Sequence, residues 1–329
     1  MSHFNFFKVL EKDNKELIHS AFISYLLDNN KNFRKQFIHE NIEDFDVSEL
    51  EKSYSYKKTK IRIDIELRSK DRKHIIFIEN KFKSFPTNKQ LKNYNIVFNN
   101  KFDKSLKLKK ILFCFDKSII RFETDWEIFD YKDLLEFLQQ DYKSEKINDE
   151  NIFVKHYISF LGNYIETYKN LKSNCNHLFN SNLNKDEKFW VRLLNSQIAI
   201  EFEKKFNDQC FDFHINPGNT SIPLLNIIPK HWKDKIKEEV LIQLQGNNLK
   251  FYLHSNNKEA AEKLIRYCET KIWNKNIELK KLTKRKQNSC FIFKTKLTEN
   301  LDNNFTYKEL YELIINFYSK INEIITNYK

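Results

Sequence analysis

Residues 61–67, Ile-Arg-Ile-Asp-Ile-Glu-Leu, alternate apolar and polar side chains, the period of a strand with one wet face. The next apolar stretch, residues 74–82, is almost continuous: Ile75, Ile76, Phe77 and Ile78 run up to Glu79, Asn80 and Lys81. That pattern suits a strand buried on both faces whose end carries charge. Ser69-Lys70-Asp71-Arg72 turns between the two, and residues 52–58 read as an edge strand ahead of them. An antiparallel meander of three strands is the economical reading.

Helical spacing brackets this meander. Residues 14–28 predict a helix capped by Asn14, with Leu17, Ile18, Ala21, Phe22, Tyr25 and Leu26 as its apolar stripe and Glu16 and His19 one turn apart. Pro86 opens a second helix over residues 87–99, on which Gln90 and Tyr94 are four apart and share a face. Residues 110–116 read as a buried strand, and residues 131–140 and 149–170 as helices. The order helix, three strands, helix, strand predicts an α/β core with its crossover on one sheet face.

Around residues 172–187 the chain turns rich in Asn and Ser, which suggests a boundary. The expected division is a first domain over 1–172, a linker over 173–188 and an α+β accessory region over 189–329. In that region residues 189–206 read as helix, and short strands flank Pro217-Gly218. Residues 240–244 and 249–253 read as a hairpin around Gly246-Asn247-Asn248. Residues 258–274 and 307–328 are helical in pattern, and 277–282 and 290–296 suit paired strands. Substrate holding, partner binding and formation of a homodimer are all roles open to this half.

Composition narrows the class. The chain has 329 residues, 40% hydrophobic and 15% aromatic, enough for a real core. No apolar run approaches the ~20 residues of a membrane span, and no secretory signal is readable, so a soluble cytoplasmic protein is expected. Five well-separated cysteines, Cys114, Cys175, Cys210, Cys268 and Cys290, fit reduced thiols and no zinc site. The net charge of +12 favours polyanions, although abundant Lys, Asn and Ile is also a compositional habit.

The chemistry-bearing residues stand at strand ends. Side chains alternate along a strand, so Glu79 and Lys81 share one face while Asn80 points the other way. Asp64 lies on the polar face of the preceding strand, and pairing of the two strands lets Asp64 and Glu79 converge. Carboxylates beside an ammonium suit a hard divalent cation and a phosphodiester. Lys81 could steer the attacking water or neutralise charge on the transition state.

These residues carry a resemblance. Arg62-Ile63-Asp64-Ile65 and Ile78-Glu79-Asn80-Lys81 resemble the two motifs of the PD-(D/E)xK nuclease superfamily, which has the restriction-endonuclease-like fold. The segment from Lys83 through Pro86, Gln90 and Leu91 to Tyr94, and Glu16-Leu17-Ile18-His19-Ser20 with Leu26-Leu27-Asp28, resemble the flanking helices of one bacterial branch. The likeness covers about residues 10–165. It implies a restriction-endonuclease-like core with an α+β C-terminal region, and a nuclease dependent on Mg²⁺, with Mn²⁺ as substitute. It also implies nucleic acid as partner, DNA in preference to RNA, and a role in defence or repair. By the same resemblance Asp64 and Glu79 are metal ligands, Glu16 completes or orients the metal site, and Lys81 positions the water. Gln90 and Tyr94 touch a phosphate or buttress Lys81. Two positions depart from the pattern: Ile63 replaces a proline and Ile61 a glycine, and neither is a ligand.

The opposite reading is a solvated surface ion pair contributing roughly 0–1 kcal/mol, or a non-catalytic binding module on the same fold. A carboxylate, fourteen intervening residues and E-x-K recur easily by chance in so charged a chain. Against that, the charges end a run too apolar for the surface, where unpaired charge is costly. Glu66, two residues beyond Asp64, is a rival assigned to a supporting or surface position, and His19 is read as a satisfied helix histidine. Lysine runs at 101–110 and 280–286 are read equally as phosphate-tracking or as solvated faces.

Overall fold

The computed structural model describes residues 5–9, 15–39, 45–143, 148–179, 182–206, 211–216, 222–255, 257–279 and 289–328. Asn14, Asn180, Ser181, Cys210, Pro217-Gly218 and residues 280–288 lie outside them. The chain divides into two compact units, Met1–Glu166 and Thr167–Lys329.

The first unit is a mixed α/β layer structure. A short helix α1 (Phe6–Val9) precedes α2 (Glu16–Asn29) and α3 (Lys31–Phe37). Strands β1 (Glu49–Tyr56), β2 (Thr59–Arg68) and β3 (His74–Lys81) follow, then α4 (Asn88–Lys101) and β4 (Lys107–Cys114). The unit continues with β5 (Glu127–Asp130), α5 (Tyr131–Asp141) and α6 (Asp149–Leu171). The sheet order is β1-β2-β3-β4-β5. The first three strands form the expected antiparallel meander, and β4 and β5 add in parallel. β5 escaped the sequence reading because four residues are too few for a period to declare itself. The seven-residue α3 escaped for the same reason.

The crossover helix α4 starts where Thr87 Oγ1 accepts the Gln90 N–H at 3.2 Å, right after Pro86. It buries Leu91, Tyr94, Val97 and Phe98, and Phe98 stacks on Phe77 with ring centroids 3.9 Å apart. Ile61, Ile63, Leu112 and Trp126 complete that cluster. The stacking fixes the rotation of α4, so Gln90, two turns before Phe98, comes to the end of β3.

On α2 the buried face is not the stripe read from hydrophobicity. Leu17 and Tyr25 are 50% and 40% exposed, whereas His19, Ser20, Phe22, Ile23, Ser24, Leu26 and Leu27 are buried. Polar side chains satisfied by distant partners turn the helix. His19 Nδ1 lies 2.8 Å from the Tyr157 hydroxyl, and Ser20 Oγ accepts from Asn80 Nδ2 at 3.0 Å. Sequence periodicity counts such residues as solvent-facing and so misplaces the face. His19 is the satisfied core histidine expected of it, with its ring 3.8 Å from that of Phe82.

In the second unit, α7 (Lys185–Phe206), β6 (Phe211–Ile215), β7 (Leu224–Pro229), β8 (Glu239–Gln245) and β9 (Asn248–His254) lead to α8 (Lys258–Glu269). Strands β10 (Glu278–Leu279) and β11 (Ser289–Lys296) and helix α9 (Tyr307–Thr326) follow. The sheet is antiparallel, in the order β10-β11-β9-β8-β7-β6. The β8–β9 hairpin turns at Gly246, whose φ of 52° costs glycine no steric penalty. The division between units falls inside α6, ahead of the Asn- and Ser-rich stretch. The last turns of α6 belong with the second unit because Tyr168 stacks on Trp190 of α7.

Candidate active site

The register of β2 with β3 runs from Arg68↔Ile75 to Ile65↔Ile78. Continuing it by one residue sets Asp64 opposite Glu79, and there the Asp64 carboxylate accepts the Asn80 N–H at 2.7 Å. These residues lie at the carboxyl end of β3, where it runs parallel to β4, the position at which open α/β sheets hold ligands. A cavity of about 480 Å³ opens there, and Glu16, Asp64, Glu79, Lys81, Gln90 and Tyr94 all line it. The structure thus brings the six sequence-selected residues to one place.

Glu79 is 1% exposed. Its Oε1 takes the Lys81 ammonium at 2.6 Å and the Gln90 amide at 2.9 Å. Its Oε2 is buried and has no hydrogen-bond partner among the described residues. Gln90 Nε2 also donates to the Tyr94 hydroxyl at 3.1 Å, and that hydroxyl donates to the Arg62 carbonyl at 3.0 Å. Gln90 and Tyr94 therefore hold the β2 backbone and Glu79, whose Oε1 in turn takes Lys81. Lys81 lies 3.8 Å from Glu16 Oε2, and Ser84 Oγ donates to Glu16 Oε1 at 2.5 Å. Ser84 was missed as a partner because nothing in spacing links a residue after β3 to the first turn of α2.

Asn80 points to the opposite sheet face, as alternation requires. Fully buried, it donates to Ser20 Oγ and to the Glu16 carbonyl at 3.3 Å, and accepts from the Tyr131 hydroxyl at 2.6 Å. These bonds tie the Glu79-Asn80-Lys81 backbone to α2 and α5. Asn80→Ala is expected to lower unfolding free energy by about 3 kcal/mol, since it strands Tyr131 and Ser20 without their partner. Tyr131→Phe should cost about 1 kcal/mol. Urea titration of the three proteins checks both.

Glu66 is bound up in structural contacts of its own. It is buried, accepts from Arg68 Nε at 2.6 Å and from the Tyr54 hydroxyl, and so closes a structural triad.

The electrostatics follow from burial. Desolvation pushes the Glu79 carboxyl up to about 7; Lys81 opposes the shift and Asp64 adds to it. Burial also raises Asp64, with Lys81 and the Asn80 N–H opposing. For Lys81 burial works downward, but Glu79, Glu16 and Asp64 outweigh it and the ammonium is favoured. A carboxyl raised by folding binds more protons in the native state, so its ionisation penalty is absent below the unfolded pKa and complete above the folded one. In chelator, the wild type should therefore lose stability relative to Glu79→Gln as pH climbs from about 4.5 to about 7, by about 3 kcal/mol in all. Urea unfolding of both proteins across pH 4–8 measures it; parallel curves would refute it.

The donor set is oxygen only, which suits a hard cation. Among the described residues no group of three or more His, Cys, Asp or Glu side chains is gathered to hold a metal ion. What the cavity does offer is the paired positions of Asp64 and Glu79, with Glu79 Oε2 a buried acceptor that lacks a partner among the described residues. Such sparse ligation is normal for Mg²⁺, which keeps waters and binds through one or two carboxylates plus phosphate oxygens. Glu16, held by Ser84, lies beside the Lys81 ammonium.

The family model of the PD-(D/E)XK nuclease superfamily matches residues 4–159, nearly all of the first unit. The match spans just under half of the chain, and over residues 4–159 the chain is similar to this superfamily. Asp64 and Glu79-Asn80-Lys81 both lie inside the matched stretch. No curated protein and no solved structure gives a significant match. Among the described residues no helix is long and apolar enough to cross a membrane.

Proposed function

We propose that this protein hydrolyses phosphodiester bonds in nucleic acid, DNA in preference to RNA, with Mg²⁺ or Mn²⁺ held by Asp64 and Glu79. One observation carries the reading. Glu79 is buried at a cavity that Asp64 also lines, one of its oxygens is fixed by Lys81 and Gln90, and the other has no partner among the described residues. A buried carboxylate oxygen without a partner costs free energy, and a cation removes that cost.

The bound cation would polarise a phosphoryl oxygen and acidify a water. The chain's own residues do the rest. Gln90, braced by Tyr94, holds Glu79 directly. Lys81, kept charged by three carboxylates, offers ammonium protons to the attacking water or to the oxygen on which charge builds. Glu16, pinned by Ser84, limits where that ammonium can swing. We place this activity in the cytoplasm, in defence against foreign DNA or in repair, on the strength of the superfamily alone.

A digestion panel tests the reading: plasmid, linear duplex, single-stranded and branched DNA, and RNA, each with Mg²⁺, Mn²⁺ or chelator. Cleavage of DNA that needs the cation and is lost in Glu79→Gln is expected. Cleavage unchanged in chelator, or in that variant, refutes it. No cleavage, together with a melting temperature that Mn²⁺ leaves unmoved, would favour a non-catalytic binding module.

A further inference from the structure

We propose that Lys60 and Lys89 form a phosphate clamp on two walls of the catalytic cavity, gripping the polynucleotide backbone on either side of the bond that is cut. The inference rests on the proposed hydrolase activity and assigns the part of the site that holds the strand.

The cavity has an acidic floor and a cationic rim. Glu16, Asp64 and Glu79 are the floor; Lys60 and Lys89 line the same space but are exposed. They reach it from different elements. Lys60 lies on β2, where Lys60, Arg62 and Asp64 alternate with the buried Ile61 and Ile63 and so share one strand face. At ~3.3 Å of rise per residue, Lys60 stands about 13 Å along the strand from Asp64. Lys89 lies in the first turn of α4, next to Gln90, which holds Glu79. The amino end of this 14-residue helix adds a partial positive charge at the same wall.

Pairing separates these lysines from ordinary surface charge. Arg62, on the same strand, is held by Glu51 at 3.1 Å. Among the described residues, neither Lys60 nor Lys89 has a carboxylate at ion-pair distance. A cation on open surface loses little by this, because water solvates it. Two such cations lining one cavity repel, and an anion bound between them relieves the repulsion. Phosphates are thus drawn to the rim and a cation to the floor, the division of labour that in-line cleavage of a strand needs.

The test is steady-state cleavage of a DNA duplex in Mg²⁺ over a series of salt concentrations. The proteins are the wild type, Lys60→Gln, Lys89→Gln, the double variant, and Lys308→Gln on α9 as an exposed control. Each neutralised phosphate contact contributes about −0.9 to the slope of log(kcat/KM) against log salt. The double variant should lose nearly two units of slope and raise KM by about tenfold or more, with kcat within about twofold. Lys308→Gln should match the wild type. Slopes that do not change in the lysine variants, or fall equally in the control, overturn the clamp while leaving the hydrolase reading intact. Absence of cleavage by the wild type overturns the hydrolase reading and the clamp with it.

Discussion

Asp64→Asn and Glu79→Gln should each slow phosphodiester hydrolysis by about 10³-fold or more while the protein stays folded. Both changes keep the shape of the side chain and remove one negative charge. A cation held by only two carboxylates loses half of its protein ligands in either variant, and several kcal/mol of transition-state stabilisation go with it. Glu16 and Asp64 still face the Lys81 ammonium when Glu79 is neutral. Burial raises the pKa of both groups, so ionising them costs stability. The neutral amide at 79 still packs against Gln90. Single-turnover cleavage rates, with thermal melts beside them, measure the two effects separately. A variant that melts early and cleaves slowly would show unfolding and no more; a stable, inactive one shows loss of chemistry.

Lys81→Met should abolish cleavage and also cost stability, by about 3 kcal/mol near pH 8, because it leaves Glu79 buried without its ammonium. The double variant Glu79→Gln/Lys81→Met should regain much of that stability, since it removes both charges, yet remain inactive. The coupling from the four-protein cycle isolates the pair. Equal melting of Lys81→Met and the wild type at pH 8 would mean that the 2.6 Å contact is not maintained in solution.

Much of this site could be read along the chain because its signals are local. The alternation around Asp64 and the apolar run ending at Glu79 are periodic over a single strand. Gln90 and Tyr94 lie one turn apart on one helix. What could not be read depends on contacts far apart in sequence. Asn80 is fixed by Ser20 and Tyr131, 60 and 51 residues away. Ser84 reaches Glu16 across 68 residues. The rotation of α2 is set by His19 and Ser20, polar residues that hydropathy assigns to water. Gln90 shows the same limit from the other side: its position on α4 follows from periodicity, but its partner, Glu79, follows from the stacking of Phe77 on Phe98.

The most direct measurement is an anomalous difference map from a crystal of the wild-type protein soaked in Mn²⁺. A peak within about 2.5 Å of carboxylate oxygens from both Asp64 and Glu79, with Glu79 Oε2 among them, is the result expected here. A map with no peak at the carboxyl end of β3, or with manganese bound to other residues, would contradict the assignment of this cavity as a metal-dependent active site.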